Sequence, residues 1–309
     1  MSGHGIPLLL LSDVDGTLIG DNGEIPAPAA DLRRRLAHVA AAWGGTVHVG
    51  LASSRTLREL TVLQRALRLP GPCIAEDGAR YAIDEQGPGE AGYARLGDAE
   101  VGRTALGSTE QHGRRQLRCW ALATPAAALR AEFKDVPSLA AADTRRQTAE
   151  GLRTLGFRSR GAIRRALDGR THSILLDPTA WTAAEQTALR AMADGRGWHL
   201  RRGGRWWTLT TTCGKGPAVE ALRAHFTTPG HVPVVAAIGN EENDQSLLAA
   251  ADVRFVIRNP HRGPHPALRT LFAAQLLEAE GHAGWLEMLD RLVPLATVIR
   301  QTRSPEAYR

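Results

Sequence analysis

Asp13 and Asp15 stand two positions apart in Asp13-Val14-Asp15-Gly16-Thr17-Leu18, just after an apolar run at residues 6–11 and Ser12. On an extended chain residues i and i+2 point the same way, so both carboxylates can face one space. Acids held that close repel unless a cation or a shared proton neutralises them. The arrangement suits a magnesium site in which one carboxylate is also a nucleophile. Ser53-Ser54-Arg55 offers a second group, since a hydroxyl and main-chain amides at a helix start bind phosphate, although serine there can equally be an N-cap. Lys215, between Gly214 and Gly216, is able to approach a phosphoryl group and neutralise two carboxylates; taken alone it reads as a loop lysine. Gly239-Asn240-Glu241-Glu242-Asn243-Asp244 gathers hard oxygen donors for magnesium, and it also reads as an acidic cap opening a helix.

The elements that must position these groups follow a βαβ rhythm. Strands are predicted at residues 7–12, 46–52 and 73–75, with helices at 29–43 and 56–69 between them. The rhythm resumes near residue 216, with helices at 217–226 and 244–251 and strands at 232–238 and 253–257. This predicts an α/β fold, a doubly wound parallel sheet, and ligands at the carboxyl ends of its strands. In between, residues 85–90 read as a linker. Residues 91–210 mix helices at 147–155 and 182–193, a strand at 173–176 and a hairpin turning at Gly203-Gly204. They predict an inserted α+β domain. The expected division is a core of residues 1–83 and 208–309 and an inserted domain of 84–207. The tail at 266–298 reads as largely helical, with Trp285, Met288, Leu289 and Leu292 on one face.

With 309 residues the chain is long enough for two cores. Its net charge of +6 comes almost wholly from arginine, Lys134 and Lys215 being the only lysines. The arginines are scattered among acids, and only residues 201–207 mix arginine with aromatic rings, so nucleic acid is not an expected partner. No apolar run reaches membrane-span length, and the run at 6–11 is too short for a signal peptide. Three cysteines without CxxC spacing fit reduced thiols and a cytoplasmic home. His261 and His265 read as loop histidines, with Gly263-Pro264 between them and no cysteine pair nearby.

Taken in order, these four groups resemble the haloacid dehalogenase superfamily of phosphatases across nearly the whole chain. The resemblance implies a Rossmannoid core with an inserted cap and a magnesium-dependent phosphomonoesterase. It makes Asp13 the nucleophile and Asp15 the acid and base, with Ser53 and Lys215 holding the phosphoryl group. Magnesium would lie on Asp13, Asp15 (through its main-chain oxygen), Asn240 and Asp244. The stretches at 53–56, 172–181 and 203–209 and Gly284-Trp285 are further similar to mannosyl-3-phosphoglycerate phosphatases, which implies a phosphorylated sugar or glycosyl-phosphoglycerate substrate. Ser54, Arg55, Arg170, Ser173 and Arg205 are the expected substrate-binding residues, an arginine fork matching a carboxylate. One departure stands out: Asn240 replaces the aspartate this superfamily carries there, removing a negative charge that Glu241 or Glu242 would have to supply. The alternative reading is therefore a weakened member that binds sugar phosphates without efficient turnover.

Overall fold

The computed structural model describes residues 6–19, 29–69, 71–84, 108–112, 115–133, 148–150, 153, 169–203, 206–259, 263–271 and 273–302. Arg205, His261, the linker at 85–90 and most of the helix expected at 147–155 lie outside them.

The chain opens with β1 (Leu8–Ser12), α1 (Ala29–Trp43), β2 (Val47–Ala52), α2 (Leu57–Leu67) and β3 (Cys73–Ala75). The strands β4 (Arg80–Asp84), β5 (Ser108–His112) and β6 (Arg115–Ala121) follow. Later come β10 (Val234–Gly239), β11 (Val253–Arg258) and β12 (Ala274–Glu280). Together they form a nine-stranded sheet in the order β12-β11-β10-β1-β2-β3-β4-β6-β5. It is parallel from β12 to β3 and antiparallel beyond. Because side chains alternate along a strand, β1 sends Leu8 and Leu10 to one face and Leu9 and Leu11 to the other. The first face packs on α1, α2 and the long α8 (Gly281–Thr302). The second packs on α5 (Gly216–Phe226), α6 (Gln245–Ala249) and, through Leu268, the short α7 (Pro266–Arg269). The sheet is doubly wound, as expected, and the chain runs outward from β1 in both directions, which puts the ligand crevice at the carboxyl end of β1.

A second sheet, in the order β7-β9-β8, is built from β7 (Ile174–Leu176), β8 (His199–Gly203) and β9 (Trp206–Thr210). With α3 (Ala126–Phe133) and α4 (Ala183–Gly195) it encloses its own core, in which Trp207 meets Trp181 edge to face at 6.3 Å. The expected cap range, 84–207, includes β5 and β6, which the ladder from β4 assigns to the large sheet. It also stops inside β9, which belongs to the small one. The tail departs from the helical reading at β12: the sequence Ala-Gln-Leu-Leu-Glu-Ala-Glu pairs in parallel with β11 instead. Here tertiary pairing overrides helix-favouring residue types. No helix among the described residues is long and apolar enough to cross a membrane.

Candidate active site

The loop leaving β1 extends the ladder by one bond, from Asp13 N to Ile238 O at 2.9 Å, and then turns. Val14 O accepts from the amides of Leu18 and Ile19, both at 3.0 Å, and Gly16 takes a φ of 74° at which a side chain is strained. Behind the loop, Trp285 of α8 donates from Nε1 to Ser12 Oγ at 2.8 Å, and that hydroxyl donates to Asp13 O at 2.6 Å. The loop gives its two acids different settings. The Asp13 side chain is 8% exposed and that of Asp15 47%.

Lys215, at the start of α5, is fully buried. Its Nζ donates to Asp13 Oδ1 at 2.8 Å and to Asp244 Oδ1 at 2.6 Å. Asp244 Oδ2 accepts from the amides of Asn240 (2.9 Å) and Glu241 (3.1 Å). Burial opposes the charge on Lys215, yet Asp13, Asp244 and Asp77 together hold its pKa above the ordinary lysine value. Burial, then the charge of Asp244, pushes the Asp13 carboxyl well above the usual carboxylate range, with Lys215 pulling the other way. Such a buried set is weak evidence for stability, since desolvation offsets most of the attraction. It does fix three side chains from β1, α5 and the loop after β10 at one point.

Ser53 is buried at the end of β2, its Oγ accepting from Arg55 N at 3.2 Å. The helix that follows is capped not by Ser53 or Ser54 but by Thr56, in a capping box with Glu59, so neither serine serves as the N-cap. Ser54 is half-buried. Arg55 reaches across to Asp15 as a fork, Nε to Oδ2 at 2.9 Å and Nη2 to Oδ1 at 2.6 Å. Burial disfavours its charge, but the bonds and charge of Asp15 hold the guanidinium above its ordinary pKa.

Residues the sequence reading passed over complete the site. Glu76, Asp77 and Gly78 form a turn after β3 with φ of 54°, 55° and 93°. For the two non-glycine residues this left-handed backbone costs on the order of 1 kcal/mol each. The turn is held by Glu76 N to Arg55 O (2.9 Å) and Asp77 N to Ser53 O (3.1 Å). Gly78 lies against the Gly214–Lys215 backbone, where an added Cβ would meet Gly214 O at 2.1 Å. Asp77 Oδ1 accepts from Asn243 Nδ2 at 2.9 Å, and its Oδ2 is buried without a hydrogen-bond partner. The turn thus touches the loops of Ser53, Lys215 and Asn243. Its sequence signal was two acids and a glycine directly after an apolar strand. Arg201 of β8 was also missed as a site residue. It donates from Nη2 to Cys213 O, and its Nε is buried without a hydrogen-bond partner. From the same strand, Gly203 allows close approach to Asn243, whose Nδ2 would lie 3.0 Å from an added Cβ.

The structure brings Asp13, Lys215 and Asp244 into contact, Asn240 to Asp244 through its amide, and Asp15 to Arg55. Arg170 and Ser173 are joined to each other and to the turn after β3: Arg170 Nη1 donates to Ser173 Oγ at 3.2 Å, and that hydroxyl donates to Glu76 at 2.7 Å. Among the described residues no group of three or more His, Cys, Asp or Glu side chains is arranged to hold a metal. A neutral donor stands ready, however. Asn240 is 3% exposed, and its Oδ1 is buried without a hydrogen-bond partner. A bare amide oxygen one strand over from the Asp13 carboxylate is the donor chemistry that hard divalent cations accept, so these residues fit magnesium. Glu241, which would have to offset the missing charge, accepts from Asn259 Nδ2 at 3.0 Å. His265 caps α7, its Nδ1 accepting from Ala267 N at 3.3 Å.

No family model matches the chain. Several solved structures do. A Thermoplasma acidophilum protein superimposes with a TM-score of 0.58 at 15% identity, over 93% of this chain and 98% of its own. A haloacid dehalogenase-like hydrolase from Bacteroides thetaiotaomicron gives 0.55 at 15% identity, over 92% and 99%. A further Bacteroides thetaiotaomicron protein, described among phosphatases of the haloalkanoate enzyme superfamily, gives 0.54 at 15% identity, over 94% and 96%. What these likenesses establish is architecture: the chain has the fold of the haloacid dehalogenase-like hydrolases.

Proposed function

We propose that this chain is a phosphomonoesterase of the haloacid dehalogenase superfamily, working through an aspartyl-phosphate on a phosphorylated sugar or glycosyl-phosphoglycerate, with magnesium. The observation that carries the reading is Lys215 Nζ, fully buried between Asp13 and Asp244 at the carboxyl end of β1. A lysine held charged beside a buried carboxylate attracts a phosphoryl group and aims the acid at phosphorus.

In this mechanism the Asp13 oxygen not bonded to Lys215 attacks phosphorus, and the bond from phosphorus to the ester oxygen breaks. Asp15 gives its proton to the departing oxygen, then takes one from the water that attacks the aspartyl-phosphate, so that Asp13 and inorganic phosphate are released. Arg55 holds both oxygens of Asp15, so the fork must release one before the acid step. Ser53 steadies the transferring group. Asp13, the main-chain oxygen of Asp15 and Asn240 would hold magnesium, whose charge offsets that of the phosphoryl oxygens. Asp244, both oxygens of which accept from protein donors, serves this scheme by holding Lys215 and the loop amides rather than as a direct ligand.

The small sheet acts as the cap that reads the sugar, and Arg201, whose guanidinium lies at the Cys213–Gly214 backbone, replaces Arg170 as its cationic contact. The unpartnered amide oxygen of Asn240 favours a second reading, slow turnover from weak metal binding. The test is phosphate release from a panel of sugar phosphates with magnesium. Activity on at least one ester, lost by more than a thousandfold in Asp13→Asn, is expected; equal rates for the two proteins across the panel would end the proposal.

A further inference from the structure

Glu76 is a buried carboxylate that the mechanism above does not use. Its residue is 0% exposed. Oε1 accepts from Thr171 N (3.0 Å) and Thr171 Oγ1 (3.3 Å), and Oε2 from His172 N (2.9 Å) and Ser173 Oγ (2.7 Å). Every one of these donors lies in the segment that enters β7 of the small sheet, whereas Glu76 itself ends β3 of the large one. Arg80 of β4 adds a bond from Nη1 to Thr171 Oγ1 at 3.1 Å. Two amides and two hydroxyls converging on one point call for an acceptor with two oxygens, and a carboxylate supplies it at roughly twice the strength of a neutral partner.

Among the described residues the small sheet has a contact with the large one on each side of its central strand β9. One is Glu76 beneath the start of β7. The other is β8, where Arg201 bonds Cys213 O and Gly203 lies against Asn243. The same turn donates to Arg55 O and Ser53 O, so its placement is shared with the residues around Asp15.

We infer that Glu76 is a positioning residue that seats the small sheet over the catalytic loops and thereby sets which phosphate esters are used well. The effect on esters rests on the phosphomonoesterase reading; the seating does not. Without the carboxylate the segment entering β7 keeps, among the described residues, the single bond from Arg80, while the β8 contact is intact, so the small sheet pivots about β8. Large esters that need contacts from the small sheet then lose binding, while a small ester needs none of them.

The experiment compares the full chain with Glu76→Ala and Glu76→Gln. Hydrogen exchange reads the amides of Thr171 and His172, and steady-state kinetics reads glucose 6-phosphate against methyl phosphate. For Glu76→Ala we expect exchange at both amides to rise at least tenfold. Its kcat/KM for glucose 6-phosphate should fall at least tenfold, chiefly through KM, and that for methyl phosphate less than threefold. Glu76→Gln, which keeps one acceptor oxygen and guards against loss of fold, should fall between. Unchanged exchange, or equal losses on the two esters, overturns the inference. Should the wild-type protein not use glucose 6-phosphate, the best ester of the panel takes its place; should it hydrolyse no ester of the panel, the functional reading falls and the exchange result alone decides the seating.

Discussion

The two edges of the large sheet treat buried titratable groups in opposite ways. At the carboxyl edge of β1, three charged side chains are buried together: Lys215 between Asp13 and Asp244. Toward the amino end of β2, His48 is buried against Phe226, the rings stacked 4.4 Å apart, with His225 edge-on to Phe226 at 5.1 Å. Burial, then the nearby His225, lowers the His48 pKa to about 4, so it is held neutral at ordinary pH. One edge keeps its charges and supplies counter-charges; the other removes charge and supplies ring contacts. The first is where the proposed chemistry is placed.

The largest effect should come from breaking the charged edge. Lys215→Met leaves two buried carboxylates without their cation. Truncating one partner of such a set costs about 3–5 kcal/mol. Urea unfolding should show that loss, together with phosphate release reduced to background. A variant of unaltered stability would mean that the edge is not held by charge.

The neutral edge makes a prediction in pH. The folded value of about 4 for His48 lies below the ordinary 6.5. Its contribution to stability is therefore complete above pH 6.5, shrinks as pH falls toward 4 and levels off below that. The interval corresponds to about 3 kcal/mol at most. His48→Phe keeps a ring beside Phe226 and removes the proton site. The stability of the wild type relative to His48→Phe should decline between pH 7.5 and 4.5; a constant difference would refute the neutral burial.

The smallest effect sharpens the charged edge. Asn240→Asp restores a negative oxygen where the amide oxygen now lies unpartnered. It should lower the magnesium concentration for half-maximal activity several-fold. Unaltered metal dependence would place residue 240 outside the metal site.

How much of this was legible in the sequence depended on whether a signal was local. Asp13, Lys215 and Asp244 each sit at a strand or helix end marked by apolar periodicity and glycine, so the parallel sheet put them near one edge, and the family resemblance implied that they meet there. Arg170 and Ser173 were read as substrate contacts because a sequence shows that a donor exists and not where it points. The acceptor that engages Ser173 is Glu76, remote in the chain and reachable only once β3 and β7 are placed. Strand β12 was hidden for a related reason: alanine, leucine, glutamine and glutamate favour helix, and only the open edge of β11 makes them a strand. Thr56, not Ser54, caps α2 because Glu59 stands at the capping-box spacing, a local signal that was available and passed over.

The Trp285 indole donates to Ser12, and Ser12 to the carbonyl of Asp13. During translation Asp13 leaves the ribosome well before the ring that braces its loop. A ribosome-bound fragment stopping before residue 285 carries the whole set of charged loops yet lacks that brace. The support of the Asp13 loop is thus complete only once α8 has been made.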